Sequence, residues 1–151
     1  MKGDLILLAM ALLLTLGSAL LFSVRPKLLP FAVLGGVVAA GFYILLFDAT
    51  ESHFISNFAG AFAVTAYSEF CAIRLKAPAA TFLMPGNIPL VPGGGLFYTM
   101  KALITRDMVE LQVQGSKTAY TALGIAAGVM IASMIFNTVR RTISRLAAKG
   151  E

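Results

Sequence analysis

Residues 83–95 carry Pro85, Pro89 and Pro92 together with Gly86, Gly93, Gly94 and Gly95, three prolines and four glycines within an otherwise apolar stretch. Proline removes a backbone donor and breaks a helix, and glycine lets other groups approach the chain closely. In lipid every freed polar group must find a partner in protein or trapped water, so a broken helix there is costly. Its commonest use is to hold a substrate or an ion. After Pro92 the amides of Gly93, Gly94 and Gly95 would open a new half-helix as free donors. A helix N-terminus with exposed N–H groups attracts a carboxylate. Tyr98, Lys101 and Thr105 follow at i, i+3 and i+7, on one helical face, where Lys101 would place a positive charge along an anion's route. A simple proline kink or interfacial turn is the alternative, since both residue types are more frequent in membrane helices.

A second constellation is the row His53, Asn57, Ala61, Thr65 and Glu69, spaced by four and polar except at Ala61. Glu69 is the acidic residue well inside an apolar run, and a carboxylate at membrane depth is a functional-site hypothesis. Desolvation would raise its pKa and suit a proton relay or gate built from Glu69, Asn57 and Thr65. Pairing with Arg74 or Lys101, or snorkelling to water, explains Glu69 equally well. A third is Gly124-Ile125-Ala126-Ala127-Gly128, a small-residue stripe suited to close helix packing, within the subunit or between copies. Enzyme chemistry finds little support. There is one histidine, His53, read as a solvated loop residue, and one cysteine, Cys71, read as a packing residue. Neither a metal site nor a phosphate loop nor a nucleophile–base pair is readable, so no cofactor or metal is expected.

The elements that must position these groups are apolar helices. Of the 151 residues, 58% are hydrophobic and only 13% charged, and the mean hydropathy is +0.86. Soluble domains carry about a quarter charged residues, so the excess apolar surface must face lipid. The expected fold is an all-α integral membrane domain over 1–151 with about five transmembrane helices. The spans are 5–24, 31–47, 54–75, a broken 79–105 and 118–139, with a polar connector at 106–117 and a basic cytoplasmic tail at 140–151. A signal peptide is the less favoured reading of the first span, because its apolar run is long and its basic flank weak.

The net charge of +5 does not mark a nucleic-acid binder, because the cations sit at the ends of apolar runs. Arg25 and Lys27 follow the first span, Arg74 and Lys76 the third, and Arg140, Arg141, Arg145 and Lys149 the last. The Asp48–His53 loop has neither lysine nor arginine. This places the N-terminus outside and the C-terminus in the cytoplasm, in a cell (inner) membrane. It favours one discontinuous crossing for 77–105, joined at Pro85–Gly95. Lys101, Arg106 and Lys117 then lie on the outer side, which keeps a re-entrant hairpin open.

The run from Tyr67 to Met100 resembles the threonine/serine exporter family. Ser68, Glu69, Ala72, Arg74, Lys76, Pro78 and Ala79 follow an SE-x-x-A-x-R-x-K-x-P-A pattern, and Pro89–Gly93 is its PLVPG core, followed by an aromatic pair. Asn87 departs from a position that is often apolar in that pattern. Family exporters often have two membrane halves, and this chain resembles the second. The resemblance implies a partner subunit like the first half and proton-driven export of threonine and serine, or of small dicarboxylates in split systems. All of these cargoes carry a carboxylate. The site residues expected are Pro89, Pro92, Gly93, Gly94, Gly95, Tyr98 and Lys101. A non-transporting assembly or regulatory subunit, scaffolding its partner or forming a homo-oligomer through Gly124 and Gly128, and a passive channel are the alternatives.

Overall fold

The structure, a computed structural model, describes the backbone of residues 2–147 and the side chains of residues 5–139. The side chains of the basic tail therefore lie outside the described residues. The elements are α1 (Lys2–Leu21), α2 (Leu29–Thr50), α3 (His53–Leu75), α4 (Ala80–Asn87), a 3-10 turn (Ile88–Leu90), α5 (Gly93–Thr105) and α6 (Met108–Ala147). No strand occurs among the described residues. Of these helices, α2 and α6 are long and apolar enough to cross a bilayer, and α1 contributes a shorter apolar stretch at Leu5–Leu21.

Close approaches fix how the helices run. Gly36 of α2 receives the Thr15 side chain of α1, and Ala19 packs with Ala32, so the two are antiparallel. Gly35 lies against Val64 and Tyr67, and Gly60 against the Ala39 carbonyl, so α3 returns antiparallel to α2. Gly124 meets Phe54, Asn57 and Phe58, and Gly128 meets Phe58, Ala61 and Phe62. Helix α6 therefore runs parallel to α3, and the Gly124/Gly128 stripe is spent on contact inside this chain. At Gly36, Gly60, Gly124 and Gly128 glycine is needed because a Cβ would strike a neighbouring backbone or side chain, whereas one on Gly35 would make ordinary contacts.

The interior is made of small residues. Ala11, Ala19, Ala32, Ala39, Ala61, Ala132, Thr15, Ser56, Thr65 and Ser68 are buried, while Leu5, Ile6, Leu13, Leu21, Leu45 and Ile73 are more than half exposed. Small residues inside and large apolar ones outside is the distribution of helices packed in lipid, where burying a leucine against protein gains little over burying it in acyl chains. The buried hydroxyls are satisfied by their own helix: Thr15 donates to the Ala11 carbonyl, Thr65 to Ala61 and Ser68 to Val64.

The broken segment runs from one end of the bundle to the other. It begins beside the end of α3, touches mid-bundle at Gly86 (against Val64, Gly35 and Gly36) and at Leu90 (against Gly60), and reaches α6 at Gly95, beside Thr118. Helix α5 then pairs antiparallel with α6, Thr99 lying against Gly115. The expected polar connector at 106–117 is not a connector. Arg106, in a left-handed cap at φ 56, and Asp107 make the turn, and α6 starts at Met108. The reason is an N-cap: the Asp107 carboxylate accepts from the Glu110 amide at 3.0 Å.

Candidate functional site: a pocket at the helix break

Three prolines shape the break. Pro85 lies inside α4, and Pro89 sits in the 3-10 turn, whose carbonyl at Ile88 accepts from the Val91 amide at 3.2 Å. Pro92, at φ −77 and ψ 58, is the centre of an inverse γ-turn in which the Gly93 amide donates to the Val91 carbonyl at 2.8 Å. This corrects the expectation for Gly93: its amide is committed. Helix α5 starts with Leu96 donating to the Pro92 carbonyl at 3.0 Å. Among the described loop and cap bonds none uses the amides of Gly94 and Gly95, which occupy the second and third positions of α5, where helix donors have no intrahelical partner. No glycine here has positive φ. Their role is space: a Cβ on Gly94 would meet nothing, and one on Gly95 would strike the Thr118 hydroxyl.

These residues open onto a half-open cavity of about 610 Å³ lined by α1, α2, α3, the 3-10 turn, α5 and α6. Of the expected site residues, Pro89, Pro92, Gly94, Gly95, Tyr98 and Asn57 line it. Gly93 and Lys101 do not, Lys101 being exposed on α5 a turn beyond Tyr98. Thr65 and Glu69 do not either. Thr65 is buried lower on α3, and Glu69 is partly exposed, with no ion pair to Arg74 or Lys101 among the described residues. Arg74 lies instead over the Phe70 ring at 5.3 Å.

The cavity's cation is Lys117, joined by His53, Gln114, Thr118 and Thr121. Sequence reasoning missed Gln114 and Lys117 because it placed 106–117 in a connector, and it gave Thr118 and Thr121, within the span 118–139, no role in the site. Asp107, an aspartate placed to cap a helix starting at Met108, was the signal that would have extended α6 over Gln114 and Lys117. The hydroxyls of Thr118 and Thr121 donate to the Gln114 and Lys117 carbonyls, and Asn57 donates to the His53 carbonyl at 2.7 Å. No carboxylate is among the described residues that line the cavity. Burial first, and then the charge of Lys117, hold the His53 pKa below the usual imidazole value. Among the described residues the arrangement offers one lysine, a half-helix N-terminus and several neutral polar groups in a mostly apolar cavity. That chemistry suits a small anion held by one end.

No curated protein and no solved structure matches the chain. The sequence pattern described as "Threonine/Serine exporter, ThrE" matches residues 7–135, which takes in every cavity-lining residue and both glycines of the α3–α6 contact. With most of its length matched, the chain belongs to the threonine/serine exporter family, ThrE.

Proposed function

We propose that this membrane protein, a component of an exporter-type transporter, binds the carboxylate of a small metabolite in the cavity at the break. The observation that carries this reading is the convergence on one cavity of the open α5 N-terminus at Gly94–Gly95 and the Lys117 ammonium, with no acidic side chain among the described lining residues. Pro89 and Pro92 hold the break open, Tyr98 forms a wall, and Lys101 guides anions along the outer face of α5. The bundle crosses the membrane five times, with the Arg25, Lys27, Arg74 and Lys76 end in the cytoplasm. Threonine, serine and small dicarboxylates are the cargo class. Proton coupling through Glu69 is a separable part of the reading, since Glu69 lies away from the cavity.

A partner resembling the family's first half completes the assembly. Supporting this, α5 and the first turns of α6 form a hairpin extending ~15 Å beyond the level of Thr118. Its outward side chains include Leu96, Phe97, Met100, Leu103, Ile104 and Val109, all more than half exposed.

Export of threonine, serine and succinate from cells expressing the chain with a first-half protein tests the reading. Gly94→Leu and Lys117→Gln should each reduce export about tenfold or more at unchanged membrane abundance, as expected for losing a hydrogen-bonded charge contact. Export at the parental rate in both variants would refute the assigned site. Export by Glu69→Gln that no longer responds to collapse of the proton gradient would assign coupling to Glu69, and a retained response would remove it.

A further inference from the structure

A second cavity, of about 750 Å³, opens at the opposite end of the same broken segment. Its walls come from the α1–α2 turn, with Ser23, Arg25 and Lys27, from the α3 C-cap, Lys76, and from α4, with Thr81 and Pro85. Three cations from two turns distant in sequence thus share one opening, and no carboxylate is among the described residues that line it. Among the described residues none of the three has an ion-pair partner. Glu69, the acidic residue on the same half of α3, lines neither cavity.

Membrane topology alone accounts for cations in these loops. It does not account for their convergence on a cavity whose floor is the first proline of the break. The three side chains are exposed, yet they line one cavity and none is paired with an acid among the described residues. Like charges brought together without counter-charge repel, and an anion relieves that repulsion. The first turn of α4, at Ala80 and Thr81, adds the positive end of a helix dipole at the same wall.

The two cavities are separated by a packed seal. Phe82 is buried with Ala19, Ala32 and Cys71, and Leu90 with Ala39, Ala61 and Val64. Between them Gly86 lies so close to Val64 that an added Cβ would come within 2.6 Å of it. One segment therefore walls a cation-bearing cavity on each side of a closed constriction.

We infer that the cavity at Arg25, Lys27 and Lys76 is a second binding site for a small carboxylate, occupied before or after the Gly94–Gly95 pocket according to the direction of transport. The inference rests on the reading of a carboxylate cargo. Arg25 and the two lysines hold the anion, the Ser23 and Thr81 hydroxyls are within its enclosure, and movement of the Phe82–Leu90 stretch joins the two sites.

The test is a titration of the full chain in phosphatidylcholine nanodiscs, its lysines carrying ¹³C-methyl labels, with succinate as the probe. Lys27 and Lys76 signals are assigned by Lys27→Arg and Lys76→Arg, and Lys117 reports on the other pocket in the same spectrum. The expected result is saturable shifts at Lys27 and Lys76, weakened about tenfold by Arg25→Gln and unchanged by Gly94→Leu. Equal shifts with chloride at matched ionic strength would overturn the inference in favour of screening. Loss of the succinate response in phosphatidylglycerol nanodiscs would overturn it in favour of a lipid headgroup. If Gly94→Leu abolishes export while Lys27 and Lys76 stay silent, this second site fails and the break pocket stands. If they respond while Gly94→Leu exports normally, the break pocket fails and the second site stands.

Discussion

His53 and Lys117 meet at the rim of the break pocket, and their coupling decides what charge the pocket carries. The His53 ring lies 5.0 Å from the Phe47 ring, and both its burial and the neighbouring ammonium disfavour the imidazolium. Near neutral pH the histidine is therefore uncharged and Lys117 is the pocket's fixed cation. Because His53 is the only histidine, its ring proton signal in an NMR titration reports this directly. The midpoint should fall below the usual value of 6.5 and rise in Lys117→Gln, which removes the second cause and leaves burial. The sign for stability follows: as pH drops below about 6.5 the unfolded chain takes up a proton that the folded chain resists, so folding stability decreases there. An unshifted midpoint in Lys117→Gln would separate the two residues. The sequence marked His53 as a solvated loop group. Its place in the first turn of α3, partly buried between α2 and α6, depends on contacts that spacing does not encode.

The break works as an element because its glycines divide into two kinds. Gly94 faces open space, and Gly95 is pressed against Thr118 of α6. Gly94→Ala should leave thermal unfolding in detergent unchanged, whereas Gly95→Val should push α5 from α6 and lower stability by ~1–3 kcal/mol, the usual cost of overpacking. Equal melting of the two variants would contradict this division. The α3–α6 contact has the same logic. A Cβ on Gly124 would come within 2.6 Å of the Phe54 carbonyl oxygen, so Gly124→Leu should destabilise the chain itself, at any protein concentration. A loss confined to self-association would point instead to a contact between copies. The helix break and the small-residue stripe were both legible, because proline and glycine act through local backbone chemistry. The partner of each glycine was not, and neither was the extension of α6 back to Met108.

For the whole molecule, the arrangement of residues is that of a chain solvated by acyl chains: alanine, glycine, serine and threonine fill the interior, and leucine, isoleucine and phenylalanine point outward. The broken segment spans this bundle end to end, so Arg106 lies at the end opposite Lys76. In a Cys71→Ser background, Ser52→Cys and Arg106→Cys should react with an impermeant maleimide from one side of the membrane, and Lys76→Cys only from the other. Labelling of Arg106→Cys and Lys76→Cys from the same side would make the segment a re-entrant hairpin and remove the five-crossing topology. The apolar side chains on the α5–α6 hairpin are exposed, and the proposed partner half is assigned to that face.

The residue pattern alone determined the all-helical class, the extents of α2 and α3, the existence of the break and the family, because hydropathy, capping and backbone restriction act over a few neighbouring residues. What only the tertiary structure decided is which polar groups share a space. Lys117 replaced Lys101 as the pocket's cation because the α5–α6 turn folds Lys117 back over Gly94 and Gly95, while Lys101 stays on the outer face of α5. Glu69 was set apart from the Asn57 end of its own helical row because α3 carries the two residues to different depths of the bundle. Arg25, Lys27 and Lys76 were gathered at one cavity because antiparallel packing of α1, α2 and α3 brings two distant turns to the same end. Each of these is a long-range consequence of helix packing, and no local periodicity carries it.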